Sequence, residues 1–157
     1  MPEKPPTTPR IQNRKAWHRF EVLEQLHCGM VLCGTEVKSL RAGQGSLDEA
    51  FARITSGEVW LLGFHIAPYS HAHTANHEPK RPRKLLLQRR EIHKLETKVT
   101  QKGLTLVPLE VYFSARGLAK VTLGLARGKS RADKRESLKK TEHQREMDRA
   151  LRRGKRK

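Results

Sequence analysis

Acidic residues are scarce in this chain: 16 Asp and Glu stand against 33 Lys and Arg in 157 residues, a formal charge of +17. The imbalance argues against a cationic partner and for a polyanion. Phosphate backbone leads, because many Lys and Arg contacts release condensed counterions. An anionic membrane surface has the same sign, yet no stretch approaches the roughly 20 apolar residues of a spanning helix, so no membrane partner is expected. Cysteines number two, Cys28 and Cys33, too few for a disulfide framework. With an N-terminus that lacks the apolar core of a secretory signal, they suit a reducing compartment, and a cytoplasmic protein is expected. Aromatics are few as well: four Phe, two Trp and two Tyr. Most of them, from Trp17 and Phe20 to Tyr112 and Phe113, alternate as core residues do. That argues against a broad base-stacking sheet and leaves recognition to shape and backbone contacts, as for folded RNA.

Catalytic signatures are also missing. There is no nucleophile elbow, no phosphate-cradling Gly-rich loop and no helical His-Glu-x-x-His, so neither an enzyme nor a cofactor or small-molecule substrate is expected. His71, His73 and His77 have a spacing that zinc could use, but only Glu78 stands close, and a solvated polar loop accounts for them. No metal site is assigned.

What the chain does contain is organised around Gly34 to Gly43, Gly-Thr-Glu-Val-Lys-Ser-Leu-Arg-Ala-Gly. Val37 and Leu40 lie three apart and share a core-facing side of a short helix, while Lys38 and Arg41 share the next, open to solvent or a polyanion. Thr35 can cap its start and Gly43 its end. So short a helix must be laid on something.

Before it, residues 1–9 carry four prolines and no apolar pattern, a disordered lead-in. Arg19 to Leu26 alternates as a half-buried strand, His27-Cys28-Gly29 reads as a turn, and Met30 to Cys33 as a short strand. After it come strands at Ala50–Thr55 and Glu58–Ala67, then a polar loop to Arg83. A helix over about Gln88–Gln101 follows, with Lys84 to Leu87 leading into it. Two strands, Leu104–Phe113 and Leu118–Ala126, complete the body. The reading is mainly β: a small closed barrel of oligonucleotide-binding type, with about six antiparallel strands and two or three short helices over residues 10–127.

The segment Lys80-Arg81-Pro82-Arg83-Lys84-Leu85-Leu86-Leu87-Gln88-Arg89-Arg90 sets six cations around three leucines. Lys80, Arg81, Arg83, Lys84, Arg89 and Arg90 can meet phosphates while leucines anchor the segment or one packs on a sugar or exposed base. From residue 128 the composition shifts. The last thirty residues hold 13 Lys or Arg and 5 acids, with Leu138, Met147 and Leu151 almost the only large apolar groups. Residues 128–157 are expected to be disordered when free, yet they are good helix formers that charge neutralisation on RNA would fold.

Gly34–Gly43 closely resembles the signature of the small protein B (SmpB) family of tmRNA-binding proteins. So, in the family's order, do Ile66–Tyr69, Arg83–Leu87 with Arg90-Glu91, Lys102–Leu109 and Gly124–Lys129. The resemblance implies an oligonucleotide-binding-type barrel with three helices and a role in trans-translation, the rescue of ribosomes stalled on messages without a stop codon. The protein would grip the tRNA-like domain of tmRNA, stand in for its missing anticodon arm and deliver it to the ribosomal A site, with elongation factor Tu acting on the same RNA. The tail would enter the empty mRNA channel past the decoding centre and small-subunit rRNA, and fold there. By the family's pattern RNA binding falls to Asn13, Leu86 and Lys120, beside Lys38 and Arg41 of the signature. His27 stands where the family usually has Glu and exchanges an acceptor for a group that can donate. In the tail, Asp133-Lys134-Arg135 matches the family's motif, with Lys129, Arg131, Lys139 and Lys140 as further ribosome contacts. Ala132 replaces a ring that could stack.

A basic structural ribosomal protein would share the charge and the tail, and is the alternative. A metal-dependent nuclease built on the histidine loop is a more distant one.

Overall fold

The computed structural model describes residues 8–72 and 74–154, so most of the 1–9 lead-in, His73 and residues 155–157 lie outside the described residues. Its elements run β1 Ile11–Gln12, α1 Arg14–Arg19, β2 Phe20–Met30, α2 Gly34–Arg41, β3 Gly45–Ser46, β4 Phe51–Thr55, β5 Glu58–Leu62, β6 His65–Ile66, β7 Arg83–Leu86, α3 Arg89–Lys102, β8 Thr105–Phe113, β9 Ala119–Gly128 and α4 Arg131–Gly154. Seven strands form one antiparallel sheet in the order β1-β8-β4-β5-β7-β2-β9, and β8 also pairs with β9. A second pair joins β3 to β6.

The expected mainly-β body is there, but with four helices in place of three. α1 was not anticipated, because its six residues have no room for an apolar period. It exists because Asn13 caps it: Asn13 Oδ1 accepts from Ala16 N (3.2 Å) and Asn13 Nδ2 donates to Pro108 O (3.0 Å). The fourth helix, α4, lies within residues 128–157, the tail expected to be disordered when free and to fold as a helix on RNA. Its start is capped by Ser130 and Asp133, whose side chains each accept from the other's backbone amide, at 3.2 and 3.1 Å. Strong helix formers carry it on.

Three strand boundaries differ for identifiable reasons. β2 runs through His27-Cys28-Gly29 without a turn, because those residues find partners on β9 in an unbroken register: His27↔Thr122, Cys28↔Val121, Gly29↔Lys120. The strand expected over Glu58–Ala67 stops at Leu62. Gly63 turns left-handed (φ 69°), and a side chain there would put Cβ 2.6 Å from Glu49 O, so the chain kinks before β6. Lys84–Leu86 is strand, not helix lead-in. In the strand period of two, Leu85 points into the core (1% exposed) and Leu86 points out (53%).

The core lies on the inner face: Cys28, Val59, Leu61, Leu85, Val111, Val121, Leu123 and Leu125 are buried together. Two bulges then reverse the pattern at one end. β2 and β9 slip between Val22 and Glu24, and β8 and β9 between Pro108 and Glu110. An inserted residue flips every side chain beyond it. On β2 and β8 this turns Val22 and Val107 outward, where with Leu109 and with Ala126, which plain alternation along β9 already puts on that face, they form a separate small cluster under Ala16 of α1. α1 thus sits on the outer face of β2, β8 and β9, at the end of a surface whose remainder is open.

Candidate nucleic-acid interface

Cross-strand partners share a face, so the register assembles the open part of this surface. Gly29 pairs with both Leu86 of β7 and Lys120 of β9, Lys120 pairs in turn with Tyr112 of β8, and His27 pairs with Thr122. Three residues separated by 59 and 34 positions in sequence, His27, Leu86 and Lys120, are thereby brought onto one outward patch, joined by Tyr112 and Thr122. His27 Nδ1 lies 2.9 Å from Tyr112 Oη and 3.2 Å from Thr122 Oγ1, with the His27 and Tyr112 rings edge to face at 5.9 Å. The two hydroxyls occupy Nδ1, which leaves Nε2 as the ring nitrogen for a phosphate or a base, as donor or acceptor according to the tautomer. Arg10 adds its guanidinium 5.5 Å from the Tyr112 ring centre and pairs with Glu110 at 3.6 Å. The patch therefore offers cations, a donor and a large exposed apolar side chain, the mixture that folded RNA requires.

Other anticipated residues lie elsewhere. Asn13 is buried and spends its amide on Ala16 and Pro108, so in the fold it sets α1. In α2, Leu40 is buried as expected, but Cys33 rather than Thr35 is the cap residue. Lys38 and Arg41 are exposed. Lys38 lies over Tyr69 (5.3 Å) and Arg41 over Phe113 (5.5 Å) beside the β8–β9 turn. Neither is drawn into the His27 patch.

The basic segment before α3 needs the largest correction. Arg83 is fully buried, as is Glu36. Arg83 Nε donates to Glu36 Oε1 (2.8 Å), Arg83 Nη2 to Pro79 O (3.1 Å), and Arg83 Nη1 to Phe64 O. Arg81 grips the same carboxylate, with Nη2 on Oε2 at 2.7 Å and Nε on Oε1 at 3.2 Å, and Cys33 N donates to Oε2 at 2.8 Å. Burial alone would raise the Glu36 carboxyl. The bonds from Arg81, Cys33 and Arg83 outweigh it and hold the group below the usual carboxylate range. Arg83 is thus a fold residue, too buried to meet RNA: a buried cation must be paired, and this one is held at all three guanidinium nitrogens. Lys80 is held by Glu49 (2.7 Å) and Lys84 by Glu58 (2.6 Å), both on the surface. Arg89 and Arg90 open α3 and are exposed, with Arg90 Nε on Gln88 Oε1 at 2.8 Å.

The tail leaves the body through Lys129. Its amide donates to Arg19 O (3.0 Å), and its Nζ to Trp17 O (3.0 Å) and Ser137 Oγ (3.1 Å). Asp133 is held below the carboxylate range by the Ser130 hydroxyl and amide, so here it is a helix cap. Lys140 pairs with Glu136 one turn back at 2.9 Å. Arg131, Arg135 and Lys139 are exposed and Lys134 is half-buried. Leu138, Met147 and Leu151 remain 49, 51 and 65% exposed, so α4 packs no apolar face on the body.

His77 has a structural task, with Nδ1 2.9 Å from Thr35 Oγ1 and Nε2 3.0 Å from Ile66 O. Burial pushes the Cys28 thiol up to about 12, with Glu91 adding to the rise, which removes it as a nucleophile. Trp17 and Tyr112 were not anticipated at the surface site, nor was Thr122, which is buried (2% exposed) and meets the patch through His27. For the last two the signal was available: strand alternation puts Tyr112 with Glu110, and Thr122 with Lys120, on the polar side. Trp17 reads in the sequence as a core aromatic, and the structure leaves it 51% exposed.

The family model described as SmpB protein matches residues 10–153. An SsrA-binding protein of Rhodopirellula baltica is 53% identical over 150 residues, covering 96% of this chain and 85% of the relative. Another, from Thermosynechococcus vestitus, is 54% identical over 141 residues, covering 89% and 92%. A chain of the solved structure "tmRNA-SmpB: a journey to the center of the bacterial ribosome" superposes with a TM-score of 0.67 at 52% identity, covering 83% of this chain and 94% of that one. On the strength of the model match and these identities, the chain belongs to the SmpB family.

Proposed function

We propose that this chain is a tmRNA-binding adaptor of trans-translation, acting with the ribosome in the cytoplasm and performing no catalysis of its own. The observation that carries the reading is the outward patch: His27, Leu86 and Lys120, far apart in sequence, come together through β-sheet register on one face rich in donors and cations. The relatives named SsrA-binding protein and the tmRNA–SmpB structure support the identity of the RNA.

In this reading the body is a closed oligonucleotide-binding-type barrel, supported by the pairing of β8 with both β4 and β9. Its patch holds the tRNA-like domain along the sugar–phosphate contour, where Lys120 and Arg10 neutralise phosphate and Leu86 packs against a sugar or base. The body then stands where an anticodon arm would be. The tail serves the ribosome. Its helix is long, about 36 Å at 1.5 Å per residue over 24 residues, and gains little from the body, so we infer that it is loose in the free protein and ordered inside the vacant mRNA channel. Arg131, Lys134, Arg135, Lys139 and Lys140 then meet small-subunit rRNA. Ala132 offers no ring to stack at the decoding centre, and neighbouring cations must supply that contact.

Isolating the protein from cells and sequencing the RNA bound to it tests the reading. A tRNA-like RNA should dominate, with the protein substoichiometric to ribosomes and enriched on stalled ones. Stoichiometric recovery with all ribosomes would favour a structural ribosomal protein instead.

A further inference from the structure

Between α1 and the open patch lies a cleft of about 220 Å³. Gln12, Asn13, Arg14 and Trp17 of the β1–α1 segment line it, with Gln25, Leu109, Glu110 and Thr122 of the sheet. We propose that this cleft receives one unstacked nucleobase of the bound RNA, stacked on Trp17. The proposal rests on the RNA-binding role given above and adds a site to it.

Four features carry it. Trp17 is 51% exposed, on a helix held rigidly by the buried Asn13 cap. An indole in that state offers a flat, pre-ordered apolar surface to whatever binds next to it. The cleft is smaller than the ~300–1,000 Å³ of ordinary small-molecule pockets, which suits one planar base and excludes a folded peptide element. Beside the apolar Leu109 its lining carries donors and acceptors, the Gln12 and Gln25 carboxamides, the Arg14 guanidinium and the Glu110 carboxylate, which are the groups that read base edges. Last, it is continuous with the patch, since Thr122 both lines the cleft and contacts His27 at 3.2 Å. A backbone tracking over Lys120 and His27 passes the mouth of the cleft within reach of Arg14. The Glu110 carboxylate biases the site toward a base that offers N–H groups at its edge.

The test uses the full-length chain and a transcript of the tRNA-like domain of bacterial tmRNA. Trp17 and Trp60 are the two tryptophans, so Trp60→Phe leaves Trp17 as sole emitter. RNA binding should quench that emission. Trp17→Ala should weaken binding roughly ten- to a hundred-fold, the range for losing one aromatic–base stack, with the salt dependence of affinity unchanged. Trp17→Phe should restore most of the loss. Unquenched emission on binding, or equal affinity of the alanine variant, overturns the stacking site while leaving the RNA reading intact. Failure of the unaltered chain to bind the transcript overturns both.

Discussion

Leu86 lies directly across Gly29: a Cβ added to Gly29 would stand 3.3 Å from both Cβ and Cδ1 of Leu86. The outward leucine of the patch is therefore held in place by the absence of a side chain on the neighbouring strand. Gly29→Val should push Leu86 off its seat and cut affinity for the tRNA-like RNA several-fold, with the cooperative melting transition retained. Equilibrium binding beside a thermal melt checks this, and an unchanged affinity would remove Leu86 placement from the account.

The buried Glu36–Arg83 pair predicts a stability effect with no direct part in binding. Glu36→Gln leaves Arg83 buried without its counter-charge, a change that costs about 3–5 kcal/mol in comparable pairs. For a chain of this length the melting temperature should fall by roughly 6–20 °C. The carboxyl titrates lower in the fold than in the unfolded chain, so its contribution is complete above the unfolded value. It is lost as pH falls below about 4. Acid unfolding of the wild type should steepen there, and that component should be absent from Glu36→Gln.

Asn13 predicts a different signature from Lys120. Asn13→Ala removes a cap and leaves Pro108 O without its buried donor, about 1–3 kcal/mol. Its effect on RNA binding should leave the salt slope unchanged. Lys120→Glu should weaken binding and flatten the slope of log affinity against log salt by roughly one or more. If Asn13→Ala flattened the slope equally, Asn13 would be a phosphate neighbour and the buried role assigned to it would be wrong.

How far the sequence could be read varies by element. α3 was plain, because Ile92, Leu95 and Val99 keep helical spacing and Gly103 closes it left-handed (φ 61°). The run Leu85-Leu86-Leu87 was ambiguous: an apolar run that short fits a helix entry or a strand equally, and only the pairing with β5 and β2 decides. β2 was broken too early because Gly29 resembles a turn, when its small size instead makes room for Leu86. The two bulges had no local signal, so the second cluster under α1 could not be foreseen. The family's pattern singled out His27, Leu86 and Lys120, and the strand register brings those three onto one face. Composition alone credited Arg83 to RNA, since a buried cation and a surface one look the same until Glu36 is seen to hold it.

The division of labour between body and tail is the central claim, and one paired measurement tests it. The chain is cut after Ser130, which keeps the Lys129 anchor on Trp17 and Arg19. Its affinity for the tRNA-like RNA is then measured beside peptide tagging on stalled ribosomes. The account predicts affinity within a few-fold of the full chain and tagging abolished. Loss of both together, or tagging that survives, would contradict it.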